Sequence, residues 1–499
     1  MQTGGRRLNR LAGLRADFSL SGFSDFIFEA ELVARSIGDY FSGAPLRLGV
    51  TGLSRAGKTV FLTALVNNLI AGARLPVLAA SAEGRITRVR LEPQPDDVVP
   101  RFAYEEHLKS LSGPDRRWPQ STSRIAQLRL TIEFESASGW GSRRSSLTVD
   151  IVDYPGEWLL DLPLLDKTYA EWSRETLAAS QTSARAPLAE QWRAAMVGLD
   201  PEADADEDTA RRIAEVFTGY LKRARDDVYA LSTLPPGRFL MPGDLAGSPA
   251  LTFAPIPLSD DAAIAPGSLP AMMARRYEAY KAHVARPFFR DHFARLDRQI
   301  VLVDALSALN SGPAALKDLE NALTEVMRAF RAGRSSYFAS VFRPRIDRIL
   351  FAATKADHLH HKSHDRLEGI LRALTAKAIG RAEGVGAEID VIALAAVRAT
   401  REAEIRTGDE TLDAIIGVPE KGETIGGQTF DGIAEAAVFP GELPDDPNAI
   451  FQGDAIALPE ADNDWRFVRF RPPLIQRSEP APQIRLDRAL QFLIGDRLA

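Results

Sequence analysis

Hydrophobic and polar positions along this chain follow two alternating rhythms. Short runs dominated by apolar residues occur at Leu46–Thr51, Leu147–Val152, Ile300–Val303, Ile349–Ala353 and Ile389–Leu394, the pattern of strands buried in a sheet. A further strand is expected where Leu128, Leu130, Ile132 and Phe134 alternate with polar neighbours, and another at Arg85–Leu91. Between the runs, apolar residues recur at steps of three and four. Val60–Ala73 reads as a helix. So do the stripe Ile213, Val216, Phe217, Tyr220, Leu221, Ala224, Val228, Leu231 and the stripe Met273, Tyr277, Tyr280, Val284. Leu486, Ala489, Leu490, Leu493 and Ile494 make an amphipathic helix near the C-terminus. Strands alternating with helices predict an α/β fold with a wound sheet.

The spacing divides the chain. Residues 1–45 read as a basic leader, with Arg6, Arg7, Arg10 and Arg15, followed by an amphipathic helix through Phe26, Ala30, Val33, Ile37 and Phe41. The leader has two open readings, a membrane-surface or partner-docking helix and a frayed terminus. About 140 residues separate Gly156 from the strand at Ile300, far more than one crossover needs. The expected core is therefore discontinuous: 46–156 and 297–401, closed by a helix at 486–499. A mostly helical insertion occupies 157–296. A second insertion of mixed short strands and loops occupies 402–485. Ser138–Ser146 and the acidic stretch Asp200–Asp208 are expected to be solvated turns.

Composition narrows the function classes. The chain is 45% hydrophobic and 26% charged over 499 residues, as in an ordinary globular protein. A net charge of −6 offers no basic field for nucleic acid. With no cysteine, disulfides, thiolate metal sites and Cys nucleophiles are excluded. No stretch is long and apolar enough for a transmembrane segment, and Met1–Asp17 lacks the apolar core of a secretory signal. The expected location is cytoplasmic, with the periphery of the inner membrane as the alternative.

The chemistry begins at Gly52-Leu53-Ser54-Arg55-Ala56-Gly57-Lys58-Thr59, a complete phosphate-binding loop between a strand and a helix. Backbone N–H groups from Gly52 through Ser54, Arg55, Ala56, Gly57 and Val60 can cradle phosphates, Lys58 can reach the β- and γ-phosphates, and Thr59 can ligate Mg²⁺. Asp153-Tyr154-Pro155-Gly156 ends an apolar run, which suits Asp153 to the metal shell and the Gly156 N–H to the γ-phosphate. Thr354-Lys355-Ala356-Asp357 follows a later strand and matches the guanine pattern [N/T]-K-x-D, in which the carboxylate accepts from two base N–H donors. Ala396 and Val397, after the last strand, are placed for a backbone contact to the guanine carbonyl. Thr122 is the expected switch threonine for Mg²⁺; the alternative is an ordinary turn or cap.

These motifs resemble the Ras-like P-loop GTPases, and more closely the bacterial YcjX-like stress-associated family. The resemblance spans nearly the whole chain: the phosphate loop, Trp118-Pro119-Gln120-Ser121-Thr122-Ser123, Asp153 to Trp158, Pro236-Gly237-Arg238-Phe239, and Thr354 to Asp357. It implies a Ras-like wound sheet, GTP/GDP binding with Mg²⁺, a helical insertion, and association with an integral membrane companion protein.

Catalysis is less legible. Glu157 stands where many Ras-like proteins carry a water-orienting glutamine, and a carboxylate there is repelled by the γ-phosphate unless paired. Slow GTP hydrolysis, about 10⁻⁴–10⁻² s⁻¹, is expected. Arg55 and Arg238 are candidate arginine fingers, Arg238 alternatively a turn arginine paired with an acid. His358, His360, His361 and His364 are read as a solvated helix start, the alternative being a metal pair at His360 and His364. Two functional readings stand: a GTPase switch, and a GTP-binding scaffold with negligible hydrolysis acting with a membrane partner. An ATP-driven motor or kinase is disfavoured by Asp357.

Overall fold

The computed structural model describes residues 44–499 apart from 54, 121–123, 137–142, 200–203, 227–228, 259–263, 330–345, 384–385, 408–409, 426, 452–466 and 477. The basic leader, the helix expected through Phe26–Phe41, and the site candidates Ser54 and Thr122 lie outside the described residues.

Seven strands form one sheet in the order β2-β3-β4-β1-β5-β6-β7. In chain order they are β1 (Leu46–Gly52), β2 (Ile86–Leu91), β3 (Ala126–Ser136), β4 (Arg143–Asp153), β5 (Arg298–Val303), β6 (Arg348–Ala353) and β7 (Glu388–Ala393). β4, β1, β5, β6 and β7 run parallel, and β2 and β3 extend the sheet antiparallel. The parallel register brings the strand ends together: Val50 faces Asp153, Gly52 faces Leu302, and Val303 faces Ala353. Loops leaving these ends meet along one edge, where open α/β sheets bind ligands.

Both faces are covered, which explains the nearly continuous apolar runs. Helix α1 (Lys58–Ile70) and the C-terminal helix Leu486–Ile494 pack Phe61, Leu65, Leu490 and Leu493 on the face that also receives Leu350 and Ala352. The alternate residues Ile349, Phe351 and Ala353 point to the other face, against Leu316, Leu323, Leu367 and Leu371 of helices Pro313–Ala329 and His364–Glu383.

Between β4 and β5 the chain forms a 3₁₀ segment, Gly156–Asp166, and then mostly helices: α2 (Tyr169–Ala179), α3 (Ala186–Met196), α4 (Glu207–Arg225) and α5 (Leu269–Tyr280). Their common core is aromatic. Trp172 stacks on Tyr277 at 5.1 Å and Trp192 on Tyr220 at 5.4 Å. After β7, strands β8 (Arg401–Thr407), β9 (Glu410–Gly417) and Ala436–Val438 form a separate three-stranded sheet over Ile415, Val468 and Phe470.

Three local expectations change. Arg143–Ser146, expected in a turn, belong to β4; polar side chains do not end the ladder where Glu135 faces Arg144 across the strands. The end of the acidic stretch is part of a helix: Asp206 caps α4 by accepting from the Thr209 N–H at 2.7 Å, and Glu207 and Asp208 fill the first turn. That helix stops at Arg225, so Leu231 of the expected stripe lies beyond it.

Candidate functional site

β1, the middle strand of the seven, delivers the phosphate loop. Arg55 (φ 64°) and Gly57 (φ 77°) both take left-handed backbone conformations, curling the loop back toward α1. A Cβ at Gly57 would meet nothing within 4 Å, so glycine serves there through its backbone freedom. Gly52 is different, since a Cβ would lie 2.7 Å from the Leu302 carbonyl oxygen on the neighbouring strand. Lys58 is buried at the start of α1, where its Nζ donates to the Gly52 carbonyl at 3.0 Å. Thr59 is buried beside it.

The loop after β4 packs directly on this one. A Cβ at Gly156 would lie 1.8 Å from the Gly52 carbonyl oxygen. Asp153 is buried at the strand end, one strand away from the phosphate loop. Glu157 is also buried, with Oε1 3.5 Å from Nη1 of Arg225, the last residue of α4. On its far side a Cβ at Gly237 would come within 1.7 Å of the Glu157 carbonyl oxygen. The Gly52, Gly156–Glu157 and Gly237 backbones therefore form a stack that carries the phosphate loop to the helical segment.

At the other end, Thr354 donates its N–H to the Val303 carbonyl at 2.9 Å and Ala356 donates to Leu394 at 3.1 Å, pinning the turn after β6 between the flanking strands. Lys355 adopts φ 62°, and its Nζ lies 2.5 Å from Asp304 Oδ2. The Asp357 carboxylate is buried, and Oδ2 accepts from the Ala399 N–H at 2.8 Å. The Thr400 hydroxyl donates to the Asp357 carbonyl. The Ala395 N–H donates to the Ile484 carbonyl at 3.1 Å.

One cavity of about 270 Å³ joins the two ends. Arg55 to Phe61 line one wall, Thr354, Lys355, Asp357, Ala396 and Val397 the other, and Trp118 and Pro119 flank it. Among the described residues, Asp153, Gly156 and Glu157 do not line it; Gly156 packs on Gly52, at the start of the loop that does.

The sequence model of the YcjX-like family, DUF463, matches residues 46–498, from the first residue of β1 to the end of the C-terminal segment. The chain belongs to the YcjX-like family. Two curated relatives are each named Ras-like GTPase YcjX. The protein from Escherichia coli K12 is 41% identical over 91% of this chain and 96% of its own length. That from Shewanella oneidensis MR-1 is 35% identical over 91% of this chain and 94% of its own.

In this YcjX-like chain, sequence reasoning missed part of the cavity wall. Glu420, Arg469 and Phe470 line it from the segment after β7, and no local motif marks them. Arg225 was also missed, because a helix-terminal arginine carries no signal until the fold sets it against Glu157. Arg238 is buried, stacks its guanidinium 3.2 Å over the Trp158 ring and lies 3.3 Å from Asp244, which matches the turn-arginine alternative. The solvated histidine start is corrected. His360 and His364 are buried, and the helix begins only at His364. His364 Nε2 lies 2.9 Å from the Ala356 carbonyl oxygen, and among the described residues His364 is not grouped with His360 within metal-ligand reach.

Proposed function

We propose that this chain binds GTP and GDP with Mg²⁺ and hydrolyses GTP slowly to GDP and phosphate, as a molecular switch in a bacterial stress response with an integral membrane companion. The observation that carries the nucleotide reading is that Lys58 and Asp357, roughly three hundred residues apart, line the same cavity. The names of the relatives support hydrolysis.

In this reading the start of α1 and the loop N–H groups hold phosphates, with Lys58 leaving the Gly52 carbonyl to meet them. Asp357 accepts from the guanine donors, its carboxylate oriented by Ala399. Lys355, tied to Asp304, lays its stem along the base. Thr59, in the first turn of α1, and Asp153, at the end of β4, are hard oxygen donors, a set that suits Mg²⁺. When bound, the metal neutralises phosphate charge. Arg55 adds positive charge at the phosphate end; partial desolvation, then the nearby charge of Arg225, lower its pKa. We read 157–296 as an insertion that senses nucleotide state through Glu157 and Gly237, and 402–485 as a second one, from which Glu420, Arg469 and Phe470 wall the cavity.

The scaffold reading is favoured by one observation, the engagement of Glu157 with Arg225 in place of a water-orienting amide. Displacement of a fluorescent GTP analogue by GTP and GDP but not ATP tests the base assignment, and equal displacement by ATP would defeat it. Single-turnover hydrolysis separates switch from scaffold. No phosphate release over hours leaves the scaffold.

A further inference from the structure

Beside the turn that carries Asp357, two adjacent histidines meet two carboxylates from the separate three-stranded sheet. The ligating atoms of His360, His361 and Glu402 lie within 4.8 Å of one another. His361 Nδ1 is 2.8 Å from Glu402 Oε2. His360 Nδ1 is 3.9 Å from Asp413 Oδ2, beyond hydrogen-bond reach. His360 is only 6% exposed, and its buried Nδ1 has no hydrogen-bond partner among the described residues.

We propose that His360, His361, Glu402 and Asp413 bind a divalent transition-metal cation of the Zn²⁺ class. Two imidazoles and two carboxylates form a nitrogen and oxygen set that Zn²⁺ accepts in four-coordination. The charges around the cluster fit this. Lys362 Nζ lies 2.9 Å from Asp413 Oδ1, and Arg398 Nη2 lies 3.3 Å from Glu402 Oε1. Each carboxylate thus has its outer oxygen held by a cation and its inner oxygen turned to a histidine, as supporting residues orient ligands in metal sites. A simple His361–Glu402 pair leaves the His360 nitrogen buried and unsatisfied; a bound cation satisfies it. Tetrahedral ligands about 2.1 Å from a metal stand roughly 3.4 Å apart, so His360, His361 and Glu402 close by up to about 1.4 Å on binding, and Asp413, outside that group of three, moves in through its 3.9 Å approach to His360.

The site has a structural consequence. Ala399 and Thr400, just before β8, already hold Asp357. A cation joining His360 and His361 to Glu402 and Asp413 adds a second brace between the same turn and the same sheet.

The test is Zn²⁺ titration of the full-length protein without nucleotide, in excess Mg²⁺ to fill any hard-cation site, read by calorimetry and by metal content after gel filtration. One equivalent of Zn²⁺ is expected, with a rise in Tm. His361→Ala, at an exposed position, and Glu402→Gln should each weaken binding about ten- to a hundredfold without changing the metal-free melt. Failure to retain stoichiometric Zn²⁺, or unchanged affinity in the His361→Ala/Glu402→Gln double variant, would overturn the proposal. Neither result depends on whether the cavity takes guanine.

Discussion

Glu157 Oε1 and Arg225 Nη1 lie 3.5 Å apart, joining the loop after β4 to the last residue of α4. The Glu157 side chain is 10% exposed and that of Arg225 is 28% exposed, so the carboxylate depends more on the pair than the guanidinium does. Removing Arg225 takes one cation away from a buried carboxylate. Arg225→Ala is expected to destabilise the fold by about 1–3 kcal/mol, and Glu157→Gln by less, because the amide carries no charge to strand. In the double variant the Arg225→Ala cost should largely disappear. Urea denaturation of the four proteins measures the coupling, and strictly additive effects would show that the pair contributes nothing.

The backbone stack makes a sharper prediction about space. At Gly237 the nearest atom to an added Cβ is a backbone oxygen at 1.7 Å, which cannot swing aside as a flexible side chain would. Gly237→Ala should cost about 3 kcal/mol of unfolding free energy, measured by urea denaturation. Gly57→Ala meets no atoms, but takes an L-residue to φ 77°, and should cost about 1–2 kcal/mol. An equal or larger loss at Gly57 would mean that close backbone contact is not what selects glycine at Gly237.

Asp357→Asn tests base recognition. The new amide can turn its oxygen to the Ala399 N–H and its NH₂ into the cavity, keeping the turn intact. GTP affinity should fall at least about a hundredfold, the order expected for replacing two acceptors with a donor. Affinity for xanthosine triphosphate, which carries the complementary carbonyl, should rise. Equilibrium binding of both nucleotides decides it, and unchanged GTP affinity would remove Asp357 from the base site.

The stability of the segment between β4 and β5 should depend on pH through Asp161. This carboxyl is fully buried, accepting from the Gly237 N–H and from the Tyr280 hydroxyl, each at 2.7 Å. Burial raises its pKa from 3.8 to about 7, although both hydrogen bonds pull it down. Between those values the folded state holds a proton that the unfolded chain releases, so the contribution is greatest below pH 3.8 and is lost as pH rises to about 7. Asp161→Asn keeps an acceptor oxygen for the Gly237 N–H, can donate its NH₂ to the Tyr280 oxygen, and cannot ionise. The stability of wild type minus that of Asp161→Asn should fall from about pH 4 to 7 and level off above. A flat difference across this range would show that Asp161 stays ionised.

Much of the sheet was readable from the chain because strands covered on both faces need apolar residues at every position, and Ile349 to Ala353 meets that demand without its neighbours being known. The phosphate loop was readable for a related reason. A backbone that must turn through a positive φ and then open a helix leaves a local mark at Gly57, Lys58 and Thr59. Glu420, Arg469 and Phe470 left no such mark. Their place at the cavity comes from packing of the Ile415, Val468 and Phe470 core, and any exposed acid or arginine reads alike until that core forms. The histidines show the same limit: their spacing suggested His360 with His364, whereas the fold turns His364 to a carbonyl and brings Glu402 to His361.

By itself, the sequence determined the strand and helix rhythm, the phosphate loop and the Thr354–Asp357 motif, because each rests on backbone geometry or side-chain chemistry within a few consecutive residues. Only the tertiary structure decided that Arg225 meets Glu157, that Gly237 presses on the same loop, and that two carboxylates face His360 and His361. Those are meetings of distant segments, set by packing and register rather than by any local pattern.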